Sequence, residues 1–478
     1  MEKVSSNKHK SWWKYIGVEP VMFLYMMAFM LTSVVEEAFF VYKACHINLG
    51  LSDEICNNLT APENQKLQKE VQLKVSTFHQ YENIASHLVP VILAFFLGPW
   101  SDKVGRKLPL LLGLFGNFVY SFMIVVNASF SWPLEVVLLT ACLPCALTGG
   151  NLTVFMASFS YLADTTSQKQ RTLRTTLLEV AYLFPMPVGV ALGSYLFTSV
   201  LGHSYAKMFM VNASLLFLAL LYTMAFIEWN TSKTHVIEEN ERSRKCSCIF
   251  DLIDLRHVVH SIRALVKRRT DNRRLFLILT LIAMALYTFQ RDEKHMVYLY
   301  TSMKFKWDVP IFSRFRTFQS SFFVLGLLIG VPIMERCFGF RDNLIIMIGA
   351  SAHLITRIIF SLAEESYLFY IGAVIASLGP VVAPVLRSLT SKLVPASDRG
   401  KIFALLSVAD STVPLISGII YTQVYNNTID TFPQSIFLIT AVSQLIVFFI
   451  SLFMDIITKR NNISQAHEEE GEMLNRSE

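Results

Sequence analysis

Gly98-Pro99-Trp100-Ser101-Asp102-Lys103-Val104-Gly105-Arg106-Lys107 lies between one apolar run that ends at Leu97 and another that begins at Leu108. That setting predicts a tight, basic hairpin between two membrane helices. Gly98 and Gly105 allow close backbone approach and turn conformations that a Cβ would forbid. Asp102 suits the positive end of a neighbouring helix, while Arg106 and Lys107 suit carboxylate partners and hold the loop in the cytosol. These five residues define the expected hairpin.

The composition around this stretch agrees. Of 478 residues, 53% are hydrophobic and only 16% charged, whereas soluble domains carry about 25% charged residues. Twelve apolar segments of about 20 residues, the length that crosses a bilayer core, fit an all-α membrane protein. They fall near 16–42, 82–100, 108–126, 134–163, 175–200 and 208–227, and again near 275–300, 318–334, 344–363, 367–393, 402–425 and 435–457. The first is too long for a cleaved signal segment and is expected to stay as a span.

The domain reading follows: a cytosolic N-terminus (1–15), a six-helix bundle (16–228), a cytosolic linker (229–273), a second six-helix bundle (274–457) and an acidic, disordered cytosolic tail (458–478). In the linker, Ile249, Phe250, Ile253, Val258, Ile262, Leu265 and Val266 recur at helical spacing among charges, the pattern of an amphipathic surface helix. Lys and Arg cluster in the loops that place both termini in the cytosol. The polar stretch 43–81 is then an outer loop, and its Asn58-Leu59-Thr60 is a glycosylation sequon. The net charge of +6 reports this orientation, and no nucleic-acid partner is expected.

Glu335-Arg336-Cys337-Phe338-Gly339-Phe340-Arg341 is a worn second copy of the 98–107 hairpin, and Asp398-Arg399-Gly400 repeats the loop at Asp164 to Arg171. Two similar halves joined by a linker are what a parallel-repeat transporter requires.

The chemistry sits in ionisable groups inside spans, each costly unless used. Glu179 and Asp410 are the proton-coupling candidates, because a buried carboxylate can take up and release protons near neutrality. Arg387, Asp292, His353 and Arg357 are the substrate-binding candidates, since an arginine fork suits a carboxylate or phosphate. Asp292 is expected at the cavity mouth, within a charged rim 291–295 at the outer end of span 7. No nucleophile–base pair or metal constellation appears, so no catalytic residue, metal or enzyme activity is expected. The seven cysteines lack metal-ligand spacing, and Cys142-Leu143-Pro144-Cys145 lies in an apolar run.

The 98–107 pattern resembles the loop between helices 2 and 3 of major facilitator superfamily transporters. Further stretches resemble solute carrier family 46, the group containing the proton-coupled folate transporter. They are Val18-Glu19-Pro20, the run Gln170 to Glu179, Pro384 to Val394 with Arg387, and Gly400-Lys401-Ile402-Phe403. The resemblance implies that Glu179 carries proton coupling, that Arg387 serves coupling and substrate binding, and that Asp102 and Arg106 serve conformational switching. It implies protons as the coupling ion and no other cofactor, with a small anionic solute and the lipid bilayer as partners.

There are departures. The folate transporter's acidic residue in span 4 falls on Gly150, and its span 7 histidine falls near Tyr287 or Thr288. No cysteine stands near Lys306-Trp307, so the family's bridge from Cys56 to the second half is not available, and Cys45 is an alternative partner for Cys56.

The resulting expectation is a proton-coupled symporter of a folate-like or other carboxylate- or phosphate-bearing anion, working by alternating access in the cell membrane. A lysosomal exporter of small conjugates or muropeptide-like solutes, and a non-transporting scaffold on the same fold, are the alternatives.

Overall fold

A computed structural model describes residues 17–166, 168–229, 272–394 and 396–475. Every regular element among them is a helix. The first span comprises α1 (Glu19–Thr32) and α2 (Val35–Lys43), bent by 43° and finished by a π turn over Ala44–Asn48. A short helix, α3 (Asp53–Asn57), precedes α4 (Gln65–Val104), the second span, and α5 (Lys107–Ser129), the third. A π turn, α6 (Leu143–Leu147) and α7 (Gly150–Thr165) make the fourth; α8 (Gln168–Leu183) and α9 (Pro185–Tyr195) the fifth; α10 (Tyr205–Phe226) the sixth.

The seventh span is α11 (Arg273–Thr288), a 3₁₀ turn (Phe289–Asp292) and α12 (Glu293–Phe305). It is followed by α13 (Val309–Leu325) and α14 (Asp342–Leu362). The tenth span is α15 (Tyr367–Ile375), a 3₁₀ turn containing Pro380, and α16 (Val382–Leu393), and the chain continues through α17 (Ala396–Thr428) to α18 (Ser435–Asn475). Among the described residues nine segments, or ten with the bent first pair, are long and apolar enough to cross a membrane. With α4 and α17 in the second and eleventh places, the twelve-helix fold expected from the sequence is present.

The chain divides into two compact units. One contains the described residues within Met1–Phe39 and Leu88–Asp254; its core is Val21, Met22, Tyr25, Leu110, Leu114, Val154, Leu178 and Leu216. Small residues bring its helices close, as membrane helices require in the absence of a hydrophobic drive between them. A Cβ on Gly193 of α9 would collide with the Leu31 carbonyl of α1.

The other unit contains the described residues within Phe40–His87 and Leu255–Glu478, around Met284, Ile345, Ile346, Val382, Leu386 and Val447. Within it Phe360 and Phe369 stack at 4.2 Å with Trp307, Phe315 and Phe437 around them, each such pair contributing about 0.5–1.5 kcal/mol.

Three expectations need correction. The 43–81 stretch is largely helical, because α4 starts at Gln65. Its polar residues recur every four positions as a hydrogen-bonding stripe: Gln68 and Gln72 donate to the carbonyls of Ser302 and Leu299, and the Ser76 carbonyl accepts from Thr422. The 98–107 stretch is α-helical to Val104, so Gly98 and Asp102 lie in α4, and the turn is confined to Gly105 and Arg106. The charged tail beyond residue 458 continues α18 as far as Asn475. The expected amphipathic helix of the linker falls outside the described residues. Cys45 and Cys56 form a disulfide, with Cα atoms 6.0 Å apart.

Two measurements check this architecture. Gly193→Ala forces α1 and α9 apart and should lower stability by roughly 1–3 kcal/mol; an unchanged melting temperature would contradict the close approach. Asn58 is exposed at the end of α3, whereas the sequon asparagine Asn426 lies inside α17 with its amide on Thr77. A glycosidase mobility shift should therefore vanish in Asn58→Gln, and its persistence would place the glycan elsewhere.

Candidate functional site

The seventh span carries the densest polar chemistry. Its 3₁₀ turn falls midway along the 33-residue span Arg273–Phe305 and contains no proline. A turn of this kind in mid-helix often marks a hinge, and here the polar side chains around it diverge onto different helices. Thr288 Oγ1 donates to Asp410 Oδ1 of α17. Arg291 Nη2 approaches Asp410 Oδ2 at 3.3 Å. Asp292 accepts from Ser417 of α17. Glu293 accepts from Thr440 of α18 and pairs with Arg357 Nε of α14 at 3.0 Å. The 291–295 cluster, read from sequence as a solvated outer rim, is instead the polar centre of the span.

Asp410 is the focus. Arg387 Nη2 of α16 reaches its Oδ2 at 3.1 Å, so two guanidinium groups and one hydroxyl converge on one carboxylate. The arginines are far more accessible than their shared partner: the Arg387 and Arg291 side chains are 48% and 53% exposed, and that of Asp410 is 14% exposed. The group carries a net charge of about +1 and presents guanidinium faces outward, a geometry suited to a carboxylate, sulfate or phosphate.

The other expected binding residues lie inside the second unit. Asp292, expected at the cavity mouth, is buried and bonded to Ser417. Arg357 is buried and held by Glu293, with Phe360 beneath its guanidinium at 5.7 Å. His353 is buried between Tyr287 and Phe323, and it fills the space that a Cβ on Gly379 would take. All three are packing or ion-pair residues in this conformation. Glu179, read as buried, is an exposed residue of α8. One turn and a residue earlier on that helix, Arg174 pairs in bidentate fashion with Glu19 of α1 at 2.8 and 2.9 Å.

The switch stretch is built around Gly105, whose φ is +96° and whose added Cβ would meet the Trp229 carbonyl oxygen at 2.7 Å. Arg106 bonds Ser101 and pairs with Asp164 at 2.8 Å. Lys107 donates to the Met224 carbonyl at 2.8 Å and sits 4.6 Å from the Trp229 ring. The worn second copy keeps the same device at Gly339, with φ +60°.

Thr288, Arg291, Glu293, Ser417 and Thr440 were not picked out from the sequence as site residues. The available signal was the dense charge run 291–295 inside a segment otherwise long enough to cross the bilayer.

Comparisons with known proteins bear on this geometry. A family profile described as Major Facilitator Superfamily matches residues 83–334. Curated relatives include a probable peptidoglycan muropeptide transporter of Drosophila melanogaster, 25% identical, covering 87% of this chain and 81% of the relative. A lysosomal proton-coupled steroid conjugate and bile acid symporter of Gallus gallus is 24% identical, covering 90% and 91%. The proton-coupled folate transporter of Rattus norvegicus is 26% identical, covering 86% of each chain. These are members of solute carrier family 46 or are similar to it, as the sequence motifs implied. Among solved structures, a peptide transporter of the POT family in complex with a thioalcohol-conjugated peptide superposes with a TM-score of 0.63 at 12% identity, covering 92% of this chain and 96% of that one.

The Glu293–Arg357 pair gives a stability test. Both side chains are under 10% exposed, so removing one partner strands a buried charge. Glu293→Leu or Arg357→Leu alone should cost roughly 3–5 kcal/mol, and the double substitution much less than the sum. Additive losses in thermal or denaturant unfolding would show that the two charges do not depend on each other.

Proposed function

Because the chain belongs to the major facilitator superfamily and is a multi-pass membrane transporter, we propose that it moves a small organic anion together with protons by alternating access. The observation that carries this reading is the convergence of Arg387 and Arg291, both half-exposed, on Asp410 beside the broken seventh span. An arginine cannot be neutralised at working pH, so an accessible pair within the spans is a standing site for negative charge.

The relatives support both parts of the proposal. Two are described as proton-coupled, and folates and bile acids carry carboxylates. Glu179 is the proposed proton carrier for accumulation: it is an ionisable carboxylate in an otherwise apolar span, on the helix whose motif resembles the family's coupling region. The proposed location is the cell membrane. The lysosomal description of one relative favours the lysosomal membrane as a second reading, and surface biotinylation against lysosomal fractionation separates the two.

The test is uptake and counterflow of folate, a bile acid and a muropeptide at about pH 5.5 and about pH 7.5. Wild-type accumulation should be greater on the acid side. Glu179→Gln, fixed in the neutral form, should retain counterflow exchange but lose acid-stimulated accumulation. Arg387→Ala should weaken apparent affinity by about 2 kcal/mol or more. Arg387→Lys should recover only part of it, because an ammonium lacks the planar fork. An unchanged acid response in Glu179→Gln would remove that residue from coupling, and equal uptake by Arg387→Ala would remove the arginine from the site.

A further inference from the structure

We propose that Cys45, His46, Asp53 and Cys56 form a redox-gated zinc site: the site is closed while the two cysteines are bridged, and once a dithiol opens the bridge the four side chains take up a Zn²⁺ ion. The inference stands apart from the transport reading and does not depend on it.

The ligands come from two short segments of the second unit. Cys45 and His46 are consecutive residues of the π turn Ala44–Asn48, and Asp53 and Cys56 lie on α3, where an i, i+3 spacing puts both on one helix face. The order Cys45-His46, then Asp53, then Cys56 is not a zinc-finger spacing, so only folding gathers the set. Cys45 Sγ, Cys56 Sγ and a His46 ring nitrogen all lie within 4.8 Å of one another, and His46 Nε2 is 3.1 Å from Asp53 Oδ1. In a tetrahedral zinc site, with Zn–S of about 2.3 Å and Zn–N or Zn–O of about 2.0–2.1 Å, neighbouring ligand atoms stand about 3.3–3.8 Å apart. The set is therefore near coordination spacing, except for the two sulfurs, which their covalent bond holds closer. With the cysteine Cα atoms 6.0 Å apart, rotation about the Cα–Cβ bonds separates the sulfurs without moving the backbone.

His46 is oriented as a metal ligand. Its Nδ1 meets the Tyr42 carbonyl at 3.0 Å, and its ring lies against the Tyr42 ring with centroids 4.2 Å apart. Donation from Nδ1–H to a backbone carbonyl fixes the tautomer that leaves the Nε2 lone pair for a metal. Asp53 faces that same nitrogen, so a cation takes the place of a proton between them. Cys45 is buried and the His46 side chain is 14% exposed, whereas that of Asp53 is 88% exposed; an ion enters past the aspartate. Two thiolates, an imidazole and a carboxylate are a donor set for zinc, whereas calcium and magnesium take oxygen ligands.

Reduction and metal uptake are separate steps. The dithiol gives two electrons to the Cys45–Cys56 bond and is oxidised to its own disulfide, its two protons passing to the cysteine sulfurs. Zn²⁺ then displaces both thiol protons into solution with no further electron transfer. Bridge and metal tie the same two segments together, so the metal replaces the clamp that reduction removes.

Cobalt(II) is the probe, because thiolate coordination gives it a charge-transfer band that the ion in water lacks. Purified full-length protein, with Cys246, Cys248 and Cys337 replaced by serine to remove other thiols, is reduced with dithiothreitol, freed of it under nitrogen and titrated with cobalt chloride. The reduced protein should develop the thiolate band together with the visible bands of tetrahedral cobalt, and Zn²⁺ should bleach both. The oxidised protein should show neither. His46→Ala and Asp53→Ala keep the bridge during folding and should each weaken cobalt binding at least about tenfold, and Cys56→Ser should abolish the band. Absence of the band from the reduced protein overturns the proposal, as does a band that survives Cys56→Ser or is unmoved by His46→Ala or Asp53→Ala.

Should Cys56→Ser fail to fold, alkylation of the unsubstituted site decides. Zn²⁺ should slow N-ethylmaleimide labelling of reduced Cys45 and Cys56 at least about tenfold relative to chelator-treated protein, read peptide by peptide by mass spectrometry. Equal labelling with and without Zn²⁺ overturns the inference.

Discussion

The second unit depends on keeping polar groups satisfied where the bilayer supplies no water. An unpaired polar group in that setting costs several kcal/mol. The seventh span nevertheless breaks its helix midway and carries Thr288, Arg291, Asp292 and Glu293 within about two turns. The structure meets the constraint by distributing them. Asp410 takes the first two, Ser417 the third, and Arg357 with Thr440 the fourth. Each partner belongs to a different turn or helix, so the break also fixes how α14, α16, α17 and α18 stand around α11 and α12.

The same distribution separates two kinds of charge. Glu293 and Arg357 are buried with each other and hold α12 to α14. Arg387 and Arg291 are about half exposed and share the carboxylate of Asp410. Burial assigns the first pair to structure, whereas the second pair is open on one side. His353 belongs with the first group: it packs over Gly379 and beside Tyr287, where its ring volume matters more than its basicity.

The first unit answers a different need. Its ion pairs, Arg174–Glu19 and Arg106–Asp164, and the Lys107 contacts with Met224 and Trp229, gather in the segments that the positive-inside pattern assigns to the cytosol. Gly105 is required there twice over: its left-handed φ would strain any side chain, and the Trp229 carbonyl leaves no room for one. The close packing of α1 on α9 through Gly193 shows the same economy, with backbone brought against backbone because lipid offers helices no hydrophobic reason to associate.

Much of this protein was legible in one dimension. Apolar runs of bilayer length, loop charge and the Gly105-Arg106-Lys107 turn determined an all-helical, twelve-span transporter, because a bilayer permits few other ways to satisfy a backbone. Arg387 and Asp410 stood out for the same reason: charge inside a span is costly. What the sequence left undecided was partnership. Nothing in the spacing of residues 288, 291, 387 and 410 states that they meet, since contacts across more than a hundred residues depend on helix rotation and on the unsignalled break at 289–292. Exposure was equally invisible. Glu179 reads as buried because its neighbours are apolar, yet it is exposed on α8, while Asp292 reads as a residue of the cavity mouth and is buried. The polar stripe of Gln68, Gln72 and Ser76 reads as loop until the other helices of its own unit supply the carbonyls and hydroxyl that bond to it. Tertiary structure decided these points because burial and pairing belong to the space between helices, which only packing defines.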